Sequence, residues 1–323
     1  MSKDTSIEYA DSSLNLMMGC DGCELWNRKA GIKICYAGNL TDRYGGENKG
    51  FPLKFELPQL FLDRLDDALR WGDLTGKDRK KKPWLNGLPR VVFLDDMGDT
   101  FTESLPIDWL APLLPKLAES PHQWLLLTKR SFRMRQFSER HPFPKNVWPG
   151  VSVTSETTAG RINDLVAVRG GGPKWVSAEP LWGQLDLTHW LQLKNHGTYY
   201  AFCQHAIDPP MIQWVVPGGE SGTDRETNLI HLRDLLAQCA AAKIACFIKQ
   251  VGSNPIIEES GLDALVSKVF PQGVPKGMEI EGEYHHREVL ELADAKGGDW
   301  SEWPQDIRVR QMPNAAWLRE KRR

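Results

Sequence analysis

Three of the six cysteines in this 323-residue chain fall within sixteen residues, as Cys20, Cys23 and Cys35 in the run GCDGCELWNRKAGIKICYAG. A C-x-x-C turn lets two thiolates converge on one metal or one cluster, and Cys35, after eleven intervening residues and at the start of an expected helix, offers a third. A structural zinc ion would need a fourth Cys or His, normally close in sequence, yet the first histidine is His122 and the next cysteine is Cys203. On a four-iron cluster, three thiolates leave one iron open to an exogenous ligand, as catalysis requires. Two blander readings stand beside it: a loop zinc completed by a distant residue, and plain core packing. Cys203, Cys239 and Cys246 read as small buried hydrophobes.

Such a site needs a frame to hold it. Short runs rich in Val, Ile, Leu, Phe and Trp at 14–18, 90–94, 123–127, 147–153, 174–177, 213–216 and 245–248 read as buried parallel strands. Helical patterns at 58–71, 107–118, 132–140, 155–168 and 229–242 alternate with them. That alternation predicts an α/β fold built as a partial or full (β/α) barrel, with an open doubly wound sheet as the runner-up. The expected layout is a barrel domain over 1–252, interrupted near 185–210, and a C-terminal extension over 253–323 packed on it through DWSEWP and Trp317. The segment 72–87, containing KDRKKK, reads as a solvated loop.

The cysteine segment resembles the radical S-adenosylmethionine (SAM) superfamily, and more closely a phage-associated family of three-cysteine radical SAM-like proteins. The resemblance continues in order through VVFLDDMGDTF, WLLLTKR, VWPGVSV, WVSAEPLWG, WVVPGGESG, FIKQVG and GGDWSEWPQDIRVRQMP, covering nearly the whole chain. It departs in one respect, because the superfamily's usual spacing is C-x-x-x-C-x-x-C and the spacing here is C-x-x-C-x(11)-C. The resemblance implies that Cys20, Cys23 and Cys35 ligate a 4Fe–4S cluster whose open iron chelates the amino and carboxylate groups of SAM. Electron transfer from an external donor such as flavodoxin or ferredoxin then cleaves SAM to methionine and a 5′-deoxyadenosyl radical that abstracts a substrate hydrogen. Ile34 and Tyr36, flanking the third cysteine, fall where the superfamily contacts SAM.

In a (β/α) barrel the chemistry lies at the carboxyl ends of the strands. After the second strand, Asp96, Met97, Gly98 and Asp99 are candidates for SAM, with a helix-capping turn as the alternative. After the third, Thr128 and Lys129 suit the SAM carboxylate, and Arg130 and Arg133 the substrate. Ser152 and Thr154 share one face of the fourth strand's end and are expected to point inward, although residues here are equally good helix caps. Glu179 precedes a proline and reads as a polar ligand in an extended turn. Gly218, Gly219, Glu220 and Ser221 form a glycine-rich turn suited to substrate or SAM. Lys249 and Gln250 close the seventh strand on the substrate side; Lys249, if buried, needs Glu179 or Glu220 as a partner. Glu220 and Lys249 are the candidates for direct catalytic roles.

The composition is that of a globular protein, 41% hydrophobic and 25% charged, which excludes disordered and fibrous classes. Lys and Arg (40) balance Asp and Glu (42), so a polyanion contact has to be local. Lys129, Arg130, Arg133 and Arg135, the KDRKKK run and 13 Trp offer such a contact. Relatives implied by the resemblance are linked to thymine hypermodification in phage DNA. The expected reaction is therefore isomerisation or other modification of a derivatised thymine base. A small-molecule or peptide substrate, and a zinc-stabilised nucleic-acid-binding protein, are the alternatives. The first residues lack a secretory h-region and no apolar run approaches ~20 residues, so the expected setting is the cytoplasm, bacterial or phage-infected, without a membrane partner.

Overall fold

The computed structural model describes residues 2–45, 50–192, 211–260 and 285–313. Seven strands form one parallel sheet: β1 (Ser12–Leu14), β2 (Val91–Leu94), β3 (Gln123–Thr128), β4 (Val147–Ser152), β5 (Trp175–Ala178), β6 (Trp214–Pro217) and β7 (Ala245–Cys246). Their spatial order is their chain order. A doubly wound sheet reverses its order at a switch point, so that runner-up is set aside. β1 and β7 are the two edges, and each is covered by antiparallel chain, Ser2 pairing with Ser13 and Arg310 with Phe247. Covered edges leave no free ladder for another chain to join.

Period-two alternation sends side chains to two different cores. One face carries Val92, Leu94, Trp124, Leu126, Val151, Val176 and Val215, packed under the helices. The opposite face carries Phe93, Leu125, Trp148, Trp175, Trp214 and Phe247, and it is filled by Tyr9. The Tyr9 ring stands edge-on to Phe93, Trp175, Trp214 and Phe247 at 5.5 to 5.9 Å. The tryptophans expected as stacking surfaces are instead largely core residues, and Trp26, Trp124, Trp148, Trp175, Trp214 and Trp303 are fully buried.

Helix α1 (Tyr36–Tyr44) packs through Ala37 on the cysteine loop, whereas the helices that cover the outer face include α2 (Arg64–Leu69), α3 (Leu114–Glu119), α4 (Ser131–Arg140), α5 (Glu156–Ala159), α6 (Arg161–Ala167), α7 (Thr188–Leu191) and α8 (Leu229–Ala242). The helix expected over 155–168 is two, meeting at Gly160, and that expected over 58–71 shrinks to one short turn of helix after an extended start. The expected insertion begins with α7; residues 193–210, Cys203 among them, lie outside the described residues, as does Trp317. The expected C-terminal extension is interleaved with the first unit, since Glu226–Asn228 pairs with Asn254–Ser260, which pairs in turn with His285–Val289. No helix among the described residues is long and apolar enough to cross a membrane.

In the KDRKKK run Lys77, Asp78, Lys80 and Lys81 are exposed, as expected of a solvated loop, but Arg79 and Lys82 turn inward. Arg79 forms a nearly buried ion pair with Asp11 at 3.1 Å, and Lys82 Nζ donates to the carbonyls of Thr5, Ile7 and Ala10 at 2.6 to 2.7 Å. These contacts clamp the N-terminal segment that delivers Tyr9 to the inner core. Removing one partner of a buried pair strands the other charge, so Arg79→Ala lowers stability by about 3 kcal/mol, measured as a fall in the urea midpoint at unchanged slope.

Candidate functional site

The eleven residues between Cys23 and Cys35 fold back on themselves. Trp26–Asn27 pairs antiparallel with Ile32–Lys33, and the amides of Ile34 and Cys35 both donate to the Leu25 carbonyl at 3.0 Å. The hairpin thereby returns Cys35 to the neighbourhood of Cys23, which explains how a long spacing serves a compact loop. The start of the loop lies against the end of β2, where Gly19 N–H donates to Met97 O at 2.9 Å. A Cβ on Gly98 would meet Met17 Sδ at 2.5 Å and Gly19 O at 2.7 Å, so the close approach that Gly98 permits is to this chain's own backbone. Cys20 packs with Met18, Trp26, Ala37, Phe55 and Met97, and Cys35 lies against the same apolar group. Burial pushes the Cys20 thiol up to about 12 and raises Cys35, although the Gly38 and Ala37 amides at the start of α1 counter the latter. Thiolates at these positions need a neighbouring positive charge, which a bound metal centre supplies. All the described cysteines are free thiols.

Three polar contacts pin the loop to the sheet. Asp21 accepts from Thr102 Oγ1 and from the Ser104 amide. The Gly22 carbonyl accepts from Arg130, whose guanidinium also meets Asp99 and Glu103. Glu24 takes the Arg161 fork at 2.9 and 3.0 Å, and Arg161 also donates to the Ser152 carbonyl. Sequence reasoning missed Asp21, Glu24 and Arg161, because no local pattern marks a pair 137 residues apart.

One cavity of about 720 Å³ receives most of the expected site residues. Cys20, Cys23, Ile34, Cys35, Tyr36, Asp96, Gly98, Asp99, Thr128, Lys129, Arg130, Ser152, Glu179, Gly219, Glu220, Ser221, Lys249 and Gln250 all line it. Met97, Thr154, Arg133 and Gly218 do not. Met97 packs behind Cys20, and Gly218 lies directly beneath the Glu179 side chain. Thr154 lies beyond the end of β4, and its backbone N–H donates to the Thr158 hydroxyl that helps close the Ser155 capping box of α5. Arg133 faces a separate groove and donates to the carbonyls of Thr102 and Leu105.

Several lining groups are already committed. Asp99 accepts from Thr128 Oγ1 at 2.6 Å, the Lys129 amide at 2.9 Å and Arg130 at 3.2 Å, so it shapes the turn after β3. Glu220 accepts from Trp182 Nε1 and Thr223 Oγ1, both at 2.6 Å, and pairs with Arg225. The partner of Lys249 is therefore Glu179, at 2.7 Å, and Gln250 donates to the same carboxylate oxygen at 2.8 Å. Burial alone would lower the Lys249 ammonium, but Glu179 and Glu8 hold it above the ordinary lysine value. Arg135 pairs with Asp164, so of the four expected rim cations only Lys129 has an ammonium without a hydrogen-bond partner among the described residues. Asp96 gives one oxygen to Asn15, and burial raises its carboxyl.

The sequence reading missed Glu8, Tyr9, Asp95, Ser177 and Lys296, which also line the cavity. Asp95 adopts a φ of +59° and accepts from the Leu16 and Met17 amides and Thr100, joining β1 to β2; burial pushes its carboxyl up to about 7. Among the described residues, no three His, Cys, Asp or Glu groups are gathered as a site for a metal ion.

The family described as protein of unknown function (DUF5131) matches residues 4–289, and the chain belongs to it. No curated protein and no solved structure matches the chain.

Burial would raise the Glu24 carboxyl, but Arg161 holds it below its ordinary value near 4.5. Its contribution to stability is thus complete above that value and disappears as pH falls through the lower folded one. Arg161→Ala removes this acid-side dependence and costs about 2 kcal/mol. Acid titration of the unfolding free energy checks the first effect, and faster alkylation of Cys23 at neutral pH reports the loosened loop.

Proposed function

We propose that this member of the DUF5131 family is a radical SAM enzyme whose parallel sheet, wound in chain order, is the wall of a partial (β/α) barrel. The observation that carries the reading is that Cys20, Cys23 and Cys35 line one cavity of about 720 Å³ together with residues at the ends of six successive strands, β2 to β7. The donor set suits an iron–sulfur group: three free cysteines, an apolar bed of Trp26 and Phe55, and a loop tied down by Asp21, Gly22 and Glu24. A cluster held by the three cysteines, with SAM, would supply one-electron cleavage of the sulfonium and hydrogen abstraction from substrate.

The chain's own residues bind and orient. Lys129 offers an unpaired ammonium for the SAM carboxylate. The Asp96 carboxylate, held by Asn15 through one oxygen, lines the cavity and suits the SAM ammonium. Asp99 and Thr128 position Lys129 through the turn they close. Tyr36 and Ile34 border the adenosyl side, while Glu179, Lys249 and Gln250 present a fixed polar triad to the substrate.

The substrate reactive group has to enter this cavity. A derivatised thymine of DNA does so only when extruded from its duplex. A small molecule or peptide is the second reading, favoured by the internal bonding of Arg130, Arg133 and Arg135, which leaves few cations free for a phosphate backbone.

Anaerobic reconstitution is expected to give iron and acid-labile sulfide in equal amounts, with the visible absorption lost in Cys20→Ala, Cys23→Ala and Cys35→Ala. Protein that takes up zinc and no iron defeats the reading. Reduced protein with SAM and hypermodified phage DNA is expected to yield a nucleoside of unchanged mass and shifted retention; turnover of a small-molecule panel alone transfers the assignment to the second substrate class.

A further inference from the structure

The family match ends at residue 289, yet the chain beyond it contributes to the cavity. Lys296 lines the wall, and the backbone from 297 to 311 runs along the free side of the segment that carries Lys249 and Gln250. We propose that residues 297–311 brace the cavity wall that Lys249 and Gln250 form and that Arg310 is a positioning residue for them. The inference rests on the cavity of the proposed site and not on its cofactor chemistry.

The segment 246–251 is bonded on both sides. Toward β6, the amides of Phe247 and Lys249 donate to the carbonyls of Val215 and Pro217, both at 2.9 Å. On the other side, Ile248 N–H donates to Val309 O at 2.8 Å, Gln311 N–H to Cys246 O at 2.9 Å and Val251 N–H to Gly297 O at 2.9 Å. Without the second set, the segment bearing the substrate-side lysine would be an edge held from one side only, by its bonds toward β6.

Arg310 fastens this arrangement at the level of Lys249. Its guanidinium donates to the carbonyls of Lys249 and Gly298, both at 3.1 Å, and of Ile248 at 3.4 Å. It lies over Trp84, Trp300, Trp303 and Phe247 at 4.6 to 5.6 Å from their centroids. No carboxylate forms an ion pair with it among the described residues, so carbonyl dipoles and ring faces hold the charge. A planar donor fork reaches several carbonyls at once, which a point charge cannot do. The carbonyl it grips belongs to the residue whose ammonium meets Glu179, so fixing that peptide fixes where Lys249 enters the cavity. The titratable groups facing Lys249 come from three other elements: Glu179 after β5, Glu8 in the N-terminal segment and Tyr36 at the start of α1.

Amine acylation of the full-length protein at fixed pH, quantified peptide by peptide, tests the inference with Lys129 as the internal reference. Loss of the fixed Glu179 contact in Arg310→Ala is expected to speed Lys249 acylation about tenfold, equivalent to about one pKa unit, with Lys129 unchanged. Arg310→Lys keeps a cation among the rings but loses the fork, and it gives the same direction should the alanine variant fail to fold. A rise below about threefold in either folded variant overturns the proposal, since a tenfold change per pKa unit would have been visible. Protein that binds no iron defeats the cofactor reading and leaves this one standing; an unreactive Lys249 in the folded variants does the reverse.

Discussion

A parallel sheet buried on both faces has to fill two cores, and in this chain the inner one is filled by rings. Phe93, Trp148, Trp175 and Trp214 come from four strands, Phe247 directly follows β7, and they cluster with Tyr9. Large rings fill this face toward the starts of the strands, and small or polar side chains such as Ser152 and Ser177 follow on the same face. The volume that the rings do not reach is the cavity. Its position at the carboxyl ends of the strands thus follows from where the aromatic residues stop.

The polar residues at those ends divide into two kinds. Asp95, Asp99 and Glu220 are consumed by amides, hydroxyls and cations of the chain itself, because a buried carboxylate without partners is costly. They join strand ends to one another and set the shape of the rim. Lys129, Asp96 and the Glu179, Lys249 and Gln250 triad are presented to the cavity. The same residue types therefore serve as struts or as ligands according to whether a partner lies within reach.

The cysteine loop shows the same economy of position. Its amides are spent on the hairpin and on Phe55 and Met97, its carboxylates on Thr102, Ser104 and Arg161, while Cys20 and Cys35 lie in an apolar bed and Cys23 Sγ accepts from the Leu25 amide. Burial keeps Cys20 protonated, and the Arg130 guanidinium is the nearby charge that favours its thiolate.

Strands β2 to β6 were legible in the sequence to within a residue at each end, because alternation and turn residues are local signals. The rule that strand ends carry the chemistry located the cavity wall, and it failed at Thr154, two residues past the end of β4, whose amide is drawn toward the Thr158 hydroxyl at the cap of α5. It also failed to see Glu8, Tyr9 and Lys296, which reach the cavity from outside the strand pattern. By itself, the sequence determined the parallel α/β alternation, the three-cysteine loop and the residue types at the strand ends. Tertiary structure alone decided which of them face the cavity unspent, since Glu179 finds Lys249 and Glu24 finds Arg161 only after distant segments are brought to one rim. Hydrogen bonding and charge pairing act through space at about 3 Å, and no spacing along the chain encodes them.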